Sequence, residues 1–308
     1  MQDGLSYGRF WSPRYWTTWL LLIWMRSTVH LPFRWQISMG KFLGRIGQSF
    51  SPKARHVVMR NLEVCFPELS DAERQTLRDR QFESVGAAVA EMALGWFAPI
   101  ERLRKLIRVE GREHLEDAYR SGKGIILFTA HFTPLETGVS ILQDLCPRCS
   151  ALYRPQKNEM INLMIRRGRS RFAQAQIQKT NVRAMLRSLK SNAAVAYLPD
   201  HAYVGSTGEL LPFFGEPAMT TTATSKLAKL SGAAVLPYFF RRLADDSGYA
   251  VDIGPPLKGF PSDDASADTR RLTGLLEEYI RKAPEQYLWT YRRFKGRPEG
   301  YPDIYGRD

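Results

Sequence analysis

The sequence predicts an α/β fold with a largely parallel central sheet flanked by helices. From about residue 106 onward, short apolar runs of strand length alternate with longer stretches of helical periodicity, which is typical of βαβ units. The 308 residues are 44% hydrophobic and 24% charged, as in chains that fold around a full core. His131, Arg154 and Asp200 each follow the end of a predicted strand. Because the carboxyl ends of parallel strands share one edge of a sheet, we expect these side chains to line one pocket.

The first 35 residues are predicted to associate with a membrane. Five of the seven tryptophans lie here, and the apolar run 15–25 is flanked by arginines. Tryptophan favours the membrane–water interface, but the run is about half of the ~20 residues that a spanning helix needs. Residues 1–35 are therefore expected to form an uncleaved anchor, interfacial or marginally spanning, before a single domain at residues 36–308. The alternative is a helix packed within that domain.

A capping box from Ser70 to Glu73 predicts the start of a long helix that runs to about residue 97. Its second half, residues 85–94, is nearly all apolar and is expected to be buried. Glu91 lies inside this half and needs a partner, for which we expect a structural ion pair rather than a catalytic role.

The remaining elements follow in chain order. Strands are predicted at residues 106–110, 125–128, 150–153, 193–198, 233–239 (interrupted by Pro237) and 249–253. Helices are predicted at residues 113–120, from Thr133, around 161–171, and at 182–190, 220–230 and 268–281, with a closing element at 286–291.

Residues 124–138 join a buried strand to the start of a helix and place His131 on the loop between them. Thr133 is a good N-cap, Pro134 suits the first helical position, and Glu136 completes a capping box. A carboxylate behind a histidine holds the ring in one tautomer, so that the ring can take a proton from a hydroxyl. His131 is therefore a candidate general base, oriented by Glu136. The alternative is that Glu136 only caps the helix and that His131 is structural.

The net charge of +13 indicates an anionic partner, which can be nucleic acid, an anionic membrane or a phosphorylated substrate. Arginine binds phosphate and carboxylate groups in a bidentate manner. Arg154 at a strand end is one candidate, and the others form a cluster that has an equal chance of being a solvated helix face: Arg166, Arg167, Arg169 and Arg171. The basic residues lack an aromatic-interleaved RNA motif, which argues against nucleic acid.

Other chemistries lack their sequence motifs. Cys146 and Cys149 form a C-x-x-C without a second pair, so a zinc site lacks ligands and a redox pair lacks its usual context. The three thiols fit a reducing cytoplasm. The chain contains neither G-x-S-x-G nor the phosphate-binding G-x-x-x-x-G-K-S/T.

His131 and Glu136 match the H-x4-D/E signature of glycerolipid acyltransferases. The surrounding sequence resembles the bacterial late lipid A acyltransferases, the lauroyl and myristoyl transferases that act on Kdo-lipid IVA. The resemblance covers nearly the whole chain and rests on these stretches: PRYWTTWLLLIW, RNLEVCFPELS, HFTPLE, YRPQKN, IRRGRSRF, YLPD, PFFGEPA, SKLAKLSGAAVLP and PEQYLWTYRRFK. It implies a glycerolipid acyltransferase-like fold and an enzyme at the cytoplasmic face of the bacterial inner membrane.

The resemblance further implies that a fatty acyl chain passes from acyl carrier protein to the hydroxyl of a lipid-A-linked 3-hydroxyacyl chain. No metal and no cofactor beyond this acyl donor are expected, and the missing serine motif favours direct transfer from the thioester. His131 would be the base, Glu136 would orient it, and N–H groups near Thr133 would stabilise the oxyanion. Substrate-binding or site-shaping roles carry over to Arg154, Asn158, Arg166, Arg167, Arg169 and Asp200.

The sequence departs from the family pattern in two places. Family members often read P-D-Q-D-Y after the third site strand, whereas this chain has His201 and Ala202 in place of the Gln and the second Asp. Tyr291 stands where the family often has His. The first departure lies beside the site and bears on the choice of acceptor or acyl chain. The alternatives are an acyltransferase for another glycolipid, an amino-acid lipid or a lysophospholipid, and a non-catalytic protein that binds anionic lipid.

Overall fold

A computed structural model describes residues 10–146, 148–153, 155–170 and 175–306. Within these ranges the α-helices α1 to α11 span Trp16–Thr28, Phe33–Gly47, Pro52–Cys65, Asp71–Phe97, Ile100–Arg104, Arg112–Arg120, Leu135–Leu145, Glu159–Ser170, Val182–Lys190, Ala223–Ser231 and Ala265–Lys282. The strands β1 to β9 span Ile107–Glu110, Ile125–Phe128, Cys149–Tyr153, Ala175–Gln178, Ala194–Tyr197, Gly208–Phe213, Glu216–Thr221, Ala234–Arg242 and Tyr249–Ile253.

Seven strands form a central sheet in the order β1-β9-β8-β2-β5-β3-β4, flanked by helices. Every neighbouring pair is parallel except β8 and β9, which a short turn at residues 243–248 joins directly. The strands β6 and β7 form a separate antiparallel hairpin. Its two turn residues, Phe214 and Gly215, both have positive φ, which matches the right-handed twist of the paired strands. The predicted α/β class and the mostly parallel sheet are confirmed.

The central strands are buried on both faces, which explains their continuous apolar runs. In β2, Ile126 and Phe128 belong to the core on one side of the sheet, and Ile125 and Leu127 to the core on the other. The predicted strands at residues 106–110, 125–128, 150–153, 193–198 and 249–253 all occur, with ends that differ by at most one residue.

Three details of the sequence prediction were wrong. Residues 220–221 end strand β7, so the helix expected from residue 220 begins at Ala223. Pro237 does not interrupt β8, because it pairs with Phe128 while its carbonyl accepts a hydrogen bond of 2.9 Å from the Gly254 N–H. The strands β4, β6 and β7 were not predicted, since β4 and β7 lack a continuous apolar run and Pro212 stands within that of β6.

The helices α2 and α4 pack with their backbones in contact. Gly40 and Gly44 of α2 face Gly86 of α4, and a Cβ added at Gly44 would lie 2.2 Å from the Phe82 carbonyl oxygen. The opposite face of α2 carries exposed apolar side chains. In α1, likewise, one face is buried in the core that includes α4, and the other is exposed. None of the helices in the described parts of the chain has the length and apolarity to cross a bilayer.

Glu91 lies within α4 and forms the ion pair expected from the sequence. Its Oε1 accepts a 2.7 Å hydrogen bond from Arg242 of β8, and both side chains are almost completely buried. Burial raises the pKa of the Glu91 carboxyl, and the positive charge of Arg242 opposes that shift. The second guanidinium nitrogen of Arg242 donates to Ser84 Oγ at 2.8 Å, so the ion pair ties the sheet to the long helix.

Candidate active site

His131 lies on the loop between β2 and α7, at the carboxyl edge of the sheet where the sequence predicts it. The helix begins at Leu135, one residue later than expected, and Pro134 is its N-cap. Thr133 does not cap the helix, because its hydroxyl shares a 2.6 Å hydrogen bond with the buried Ser84 and its N–H donates to the Gln286 carbonyl at 2.7 Å. The predicted capping box is therefore absent from this loop, and the Thr133 N–H is not available for an oxyanion.

Asp200 is the carboxylate that orients His131. It follows β5, the strand next to β2, and its side chain is only 1% exposed. Its Oδ1 lies 2.7 Å from His131 Nδ1, and its Oδ2 accepts a 3.0 Å hydrogen bond from the His131 backbone N–H. Burial would raise the pKa of Asp200, but the interactions with His131 outweigh burial and hold that pKa well below its ordinary value. An ionised carboxylate only accepts hydrogen bonds, so Nδ1 carries the proton and Nε2 is left as the basic atom.

Glu136 does not contact the imidazole, and the prediction that it orients His131 is wrong. Its Oε1 lies 2.5 Å from an Arg169 guanidinium nitrogen, and its Oε2 accepts from Arg169 Nε at 3.2 Å and from Trp96 Nε1 at 3.5 Å. Arg169 also donates to the Leu152 carbonyl at 3.2 Å. Glu136 thus joins α7 to α8 and β3 through a bidentate ion pair. The physical reason is that the first turn of α7 aims this carboxylate toward α8, away from the loop.

Two further rings complete the surroundings of His131. His201 stacks on the His131 ring with centroids 3.9 Å apart and planes 11° apart, and Tyr291 stacks on the far side of His201 at 3.8 Å and 10°. Burial is the main cause that lowers the pKa of His201 to about 4, so the ring is neutral at neutral pH. The sequence marks both positions as departures from the family pattern, but it does not show that they meet.

The closing segment holds the His131 loop in place through backbone contacts. The Leu288 N–H donates to the His131 carbonyl at 3.0 Å, and Phe132 forms an antiparallel bridge with Tyr287. Asn61 of α3 is fully buried and donates to the carbonyls of Trp289, at 2.7 Å, and Tyr291, at 2.9 Å. These contacts join parts of the chain that are far apart in sequence, so no local pattern indicates them.

The remaining predicted site residues have different surroundings. Arg154 and Arg171 lie outside the described residues. Asn158 caps α8, since its Oδ1 accepts from the N–H groups of Met160 and Ile161, and its amide donates to Thr18 Oγ1 at 3.1 Å. Arg166 and Arg167 are exposed on α8, within one turn of the partly buried Arg169. Arg169 forms the ion pair with Glu136 and does not contact His131 or Asp200.

His131, Asp200 and His201 bring three metal-binding side chains together, with ligand atoms within 4.8 Å of one another. A histidine nitrogen binds a metal ion in the plane of its ring. The two rings here are nearly parallel and stacked, so one ion cannot lie in both ring planes. This donor set does not fit a metal ion, and the arrangement supports acid–base chemistry instead.

The site can remove a proton from a bound hydroxyl group. Among the described residues, His131 makes its side-chain hydrogen bond with Asp200 and with no Ser, Thr or Cys, so the ring has no protein nucleophile to activate. A small apolar cavity lies between α7 and the sheet, lined by residues that include Thr129, Leu135, Val139 and Phe240. The dyad of His131 and Asp200 therefore suits a substrate that carries a hydroxyl group.

This chain is similar to known acyltransferases of lipid A biosynthesis. The sequence model described as bacterial lipid A biosynthesis acyltransferase matches residues 8–296. The chain is 37% identical over 294 residues to the lipid A biosynthesis lauroyltransferase of Escherichia coli (strain K12), covering 95% of this chain and 96% of that one. It is 37% identical over 297 residues to the palmitoleoyltransferase of the same strain, covering 96% of each chain. It is 26% identical over 300 residues to the myristoyltransferase, covering 96% and 92%.

Proposed function

Because the chain belongs to the bacterial lipid A biosynthesis acyltransferase family, we propose that His131 and Asp200 activate the hydroxyl group that this acyltransferase acylates. The observation that carries the proposal is the 2.7 Å contact between the buried Asp200 carboxylate and His131 Nδ1. That contact fixes the tautomer in which Nε2 is unprotonated and is able to act as a base.

The proposed reaction is a direct transfer. Nε2 of His131 takes the proton as the acceptor hydroxyl oxygen attacks the thioester carbonyl carbon of the donor. A carbon–oxygen bond forms, the tetrahedral intermediate collapses, and the carbon–sulfur bond breaks. The proton held by His131 then passes to the departing thiolate. Asp200 stabilises the imidazolium that exists between these two proton transfers.

The substrates follow from chemistry and family. The donor is acyl carrier protein bearing a fatty acyl thioester, and the acceptor is the 3-hydroxyacyl hydroxyl of a Kdo-lipid IVA-type precursor. Both partners are anionic, and the net charge of +13 favours their approach. The exposed Arg166 and Arg167 are suited to the acceptor phosphates, because guanidinium groups bind phosphate in a bidentate manner. Replacing both with Gln is expected to raise the KM for the acceptor without lowering kcat.

The pair formed by Glu136 and Arg169 supports the site rather than taking part in proton transfer. It lies 14–15% exposed between α7, α8 and β3, and it holds the helix that follows His131. Removing it is expected to reduce activity by loosening the loop, without changing which ring nitrogen carries the proton.

The enzyme meets the cytoplasmic face of the inner membrane through α1 and α2. The outward face of α2 exposes Trp35, Phe42 and Ile46, which recur at helical spacing. Replacing all three with Ser is expected to weaken binding to anionic vesicles by more than roughly 1,000-fold, since each inserted side chain contributes about 1.5–3 kcal/mol and every 1.4 kcal/mol is about tenfold in affinity. The control is Ser at Val182 and Leu230, which are exposed apolar residues outside these helices. Equal loss in both variants would contradict the assignment.

The test of the chemistry is a transfer assay with labelled acyl carrier protein. Lipid IVA and its Kdo-bearing form are compared as acceptors, with a glycolipid, an amino-acid lipid and a lysophospholipid as rivals. H131A is expected to abolish transfer while vesicle binding stays unchanged. Near-normal turnover by H131A would refute the role of His131, and preference for a rival acceptor would refute the proposed substrate.

A further inference from the structure

The outer face of the catalytic ring is covered by a stack of side chains that have no direct part in proton transfer. His131, His201 and Tyr291 lie face to face with successive centroid distances of 3.9 and 3.8 Å. The Lys295 ammonium lies 4.7 Å from the Tyr291 centroid on the same stack. His201 and Tyr291 are two of the three positions, with Ala202, at which this chain departs from the family pattern.

We propose that His201 is a positioning residue for the His131 base, which it holds in place by ring stacking backed by Tyr291. This inference rests on the proposed function of His131. Asp200 and His201 are neighbours in the chain, so one short stretch of backbone sets two constraints. Asp200 holds the edge of the imidazole through Nδ1, and His201 covers its face. A hydrogen bond at one edge still permits the ring to tilt, whereas a flat ring at 3.9 Å blocks that motion.

His201 is not suited to be a second base. Its Nε2 is buried and has no hydrogen-bond partner among the described residues, so it does not face a substrate. Burial lowers the pKa of His201 to about 4, which keeps the ring uncharged while His131 gains and loses its proton. An imidazolium at His131 then faces an uncharged ring rather than a like charge.

Tyr291 fixes the other side of the stack. Its hydroxyl donates to the Ala202 carbonyl at 3.3 Å, and its own carbonyl accepts from the buried Asn61 amide at 2.9 Å. The ring therefore has anchors at both ends. His201 is confined between this anchored ring and His131.

The experiment tests whether the flat ring of His201, rather than its ability to titrate, holds His131 in place. H201F keeps a ring of similar thickness and is expected to retain kcat within about threefold. H201L removes the ring and is expected to lower kcat roughly 10- to 100-fold while KM stays within about twofold, because a misplaced base slows the proton transfer rather than binding. His114, which is half-exposed on α6, supplies the matched control H114L, for which unchanged kinetics are expected.

Each outcome of the experiment decides the inference. H201L with kcat near that of the wild type, or H201F as impaired as H201L, would overturn it. If H201L lacks a thermal unfolding transition, Y291L takes its place, since it keeps His201 but removes the outer ring. A loss of kcat of about 3- to 10-fold in Y291L supports stacking, and an unchanged kcat overturns it. H131A separates the two levels: an active H131A refutes the proposed function, whereas an inactive H131A with a normal H201L refutes only the role of His201.

Discussion

Replacing Asp200 with Asn removes one charge and changes one hydrogen-bonding atom at the centre of the site. In the wild-type structure two N–H donors converge on this carboxylate, His131 Nδ1 at 2.7 Å and the His131 backbone N–H at 3.0 Å. An amide offers one acceptor and one donor group, so it satisfies only one of these contacts. If its oxygen accepts from the backbone, its NH2 faces Nδ1 and forces the ring proton onto Nε2. The ring is then in the wrong tautomer to act as a base.

The expected loss of activity is large because D200N both favours the wrong tautomer of His131 and removes the negative charge beside the ring. We expect D200N to lower kcat by a factor on the order of 1,000 to 10,000, which equals about 4–5.5 kcal/mol on the activation free energy. The loss of hydrogen bonding at one buried group is expected to lower the free energy of unfolding by only about 1–3 kcal/mol. A folded but nearly inactive protein is therefore the predicted result.

The assay measures initial rates of acyl transfer from labelled acyl carrier protein, with urea unfolding on the same preparations. H114L serves as the control for the loss of a histidine outside the site. A D200N variant that keeps more than a tenth of the wild-type kcat would refute the assignment of Asp200 as the orienting carboxylate.

Three further predictions follow from the contacts around the site. E136Q and R169Q are each expected to lower kcat about 10- to 100-fold, and the double variant to be no worse than either, since both remove one ion pair; additive losses would argue against it. R242M leaves Glu91 buried and without its ion-pair partner, so the free energy of unfolding should fall by about 3–5 kcal/mol. The double variant E91L/R242M should recover most of that loss, and a double variant as unstable as R242M would contradict this. His201 has a pKa of about 4 in the folded state and about 6.5 in the unfolded state, so the unfolded state binds the extra proton as the pH drops through this window. The free energy of unfolding should therefore fall by up to about 3 kcal/mol, and H201F should lack this pH-dependent loss when urea unfolding is compared at pH 7 and pH 5. Identical pH dependence of the wild type and H201F would count against the lowered pKa.

Much of the site was predictable because it lies at strand ends. The apolar runs that become β2 and β5 are buried on both faces and read clearly from the sequence, and a parallel sheet brings their carboxyl ends together. His131 and Asp200 therefore meet as expected, although they are 69 residues apart. The capping box from Ser70 to Glu73 was also predictable, because its two partners are close in sequence and few other groups compete for their hydrogen bonds.

The same local reasoning failed where a distant partner competes for a side chain. Thr133 and Glu136 have the spacing of a capping box, but Ser84, 49 residues away, takes the Thr133 hydroxyl. Arg169, 33 residues away, takes the Glu136 carboxylate. Such contacts depend on how α4 and α8 pack against α7, which no spacing pattern encodes. The stack of His201 and Tyr291 escaped prediction for the same reason, since the closing segment lies 90 residues further along the chain.

The protonation of the His131 ring tests the central claim most directly. The chain has five histidines, and 15N labelling of their rings with H131Q as the assignment reference isolates the signal of interest. We predict that at neutral pH Nδ1 of His131 carries a proton protected by Asp200, that Nε2 is unprotonated, and that D200N shifts the proton to Nε2. A wild-type ring protonated on Nε2, or a tautomer that D200N leaves unchanged, would contradict the account.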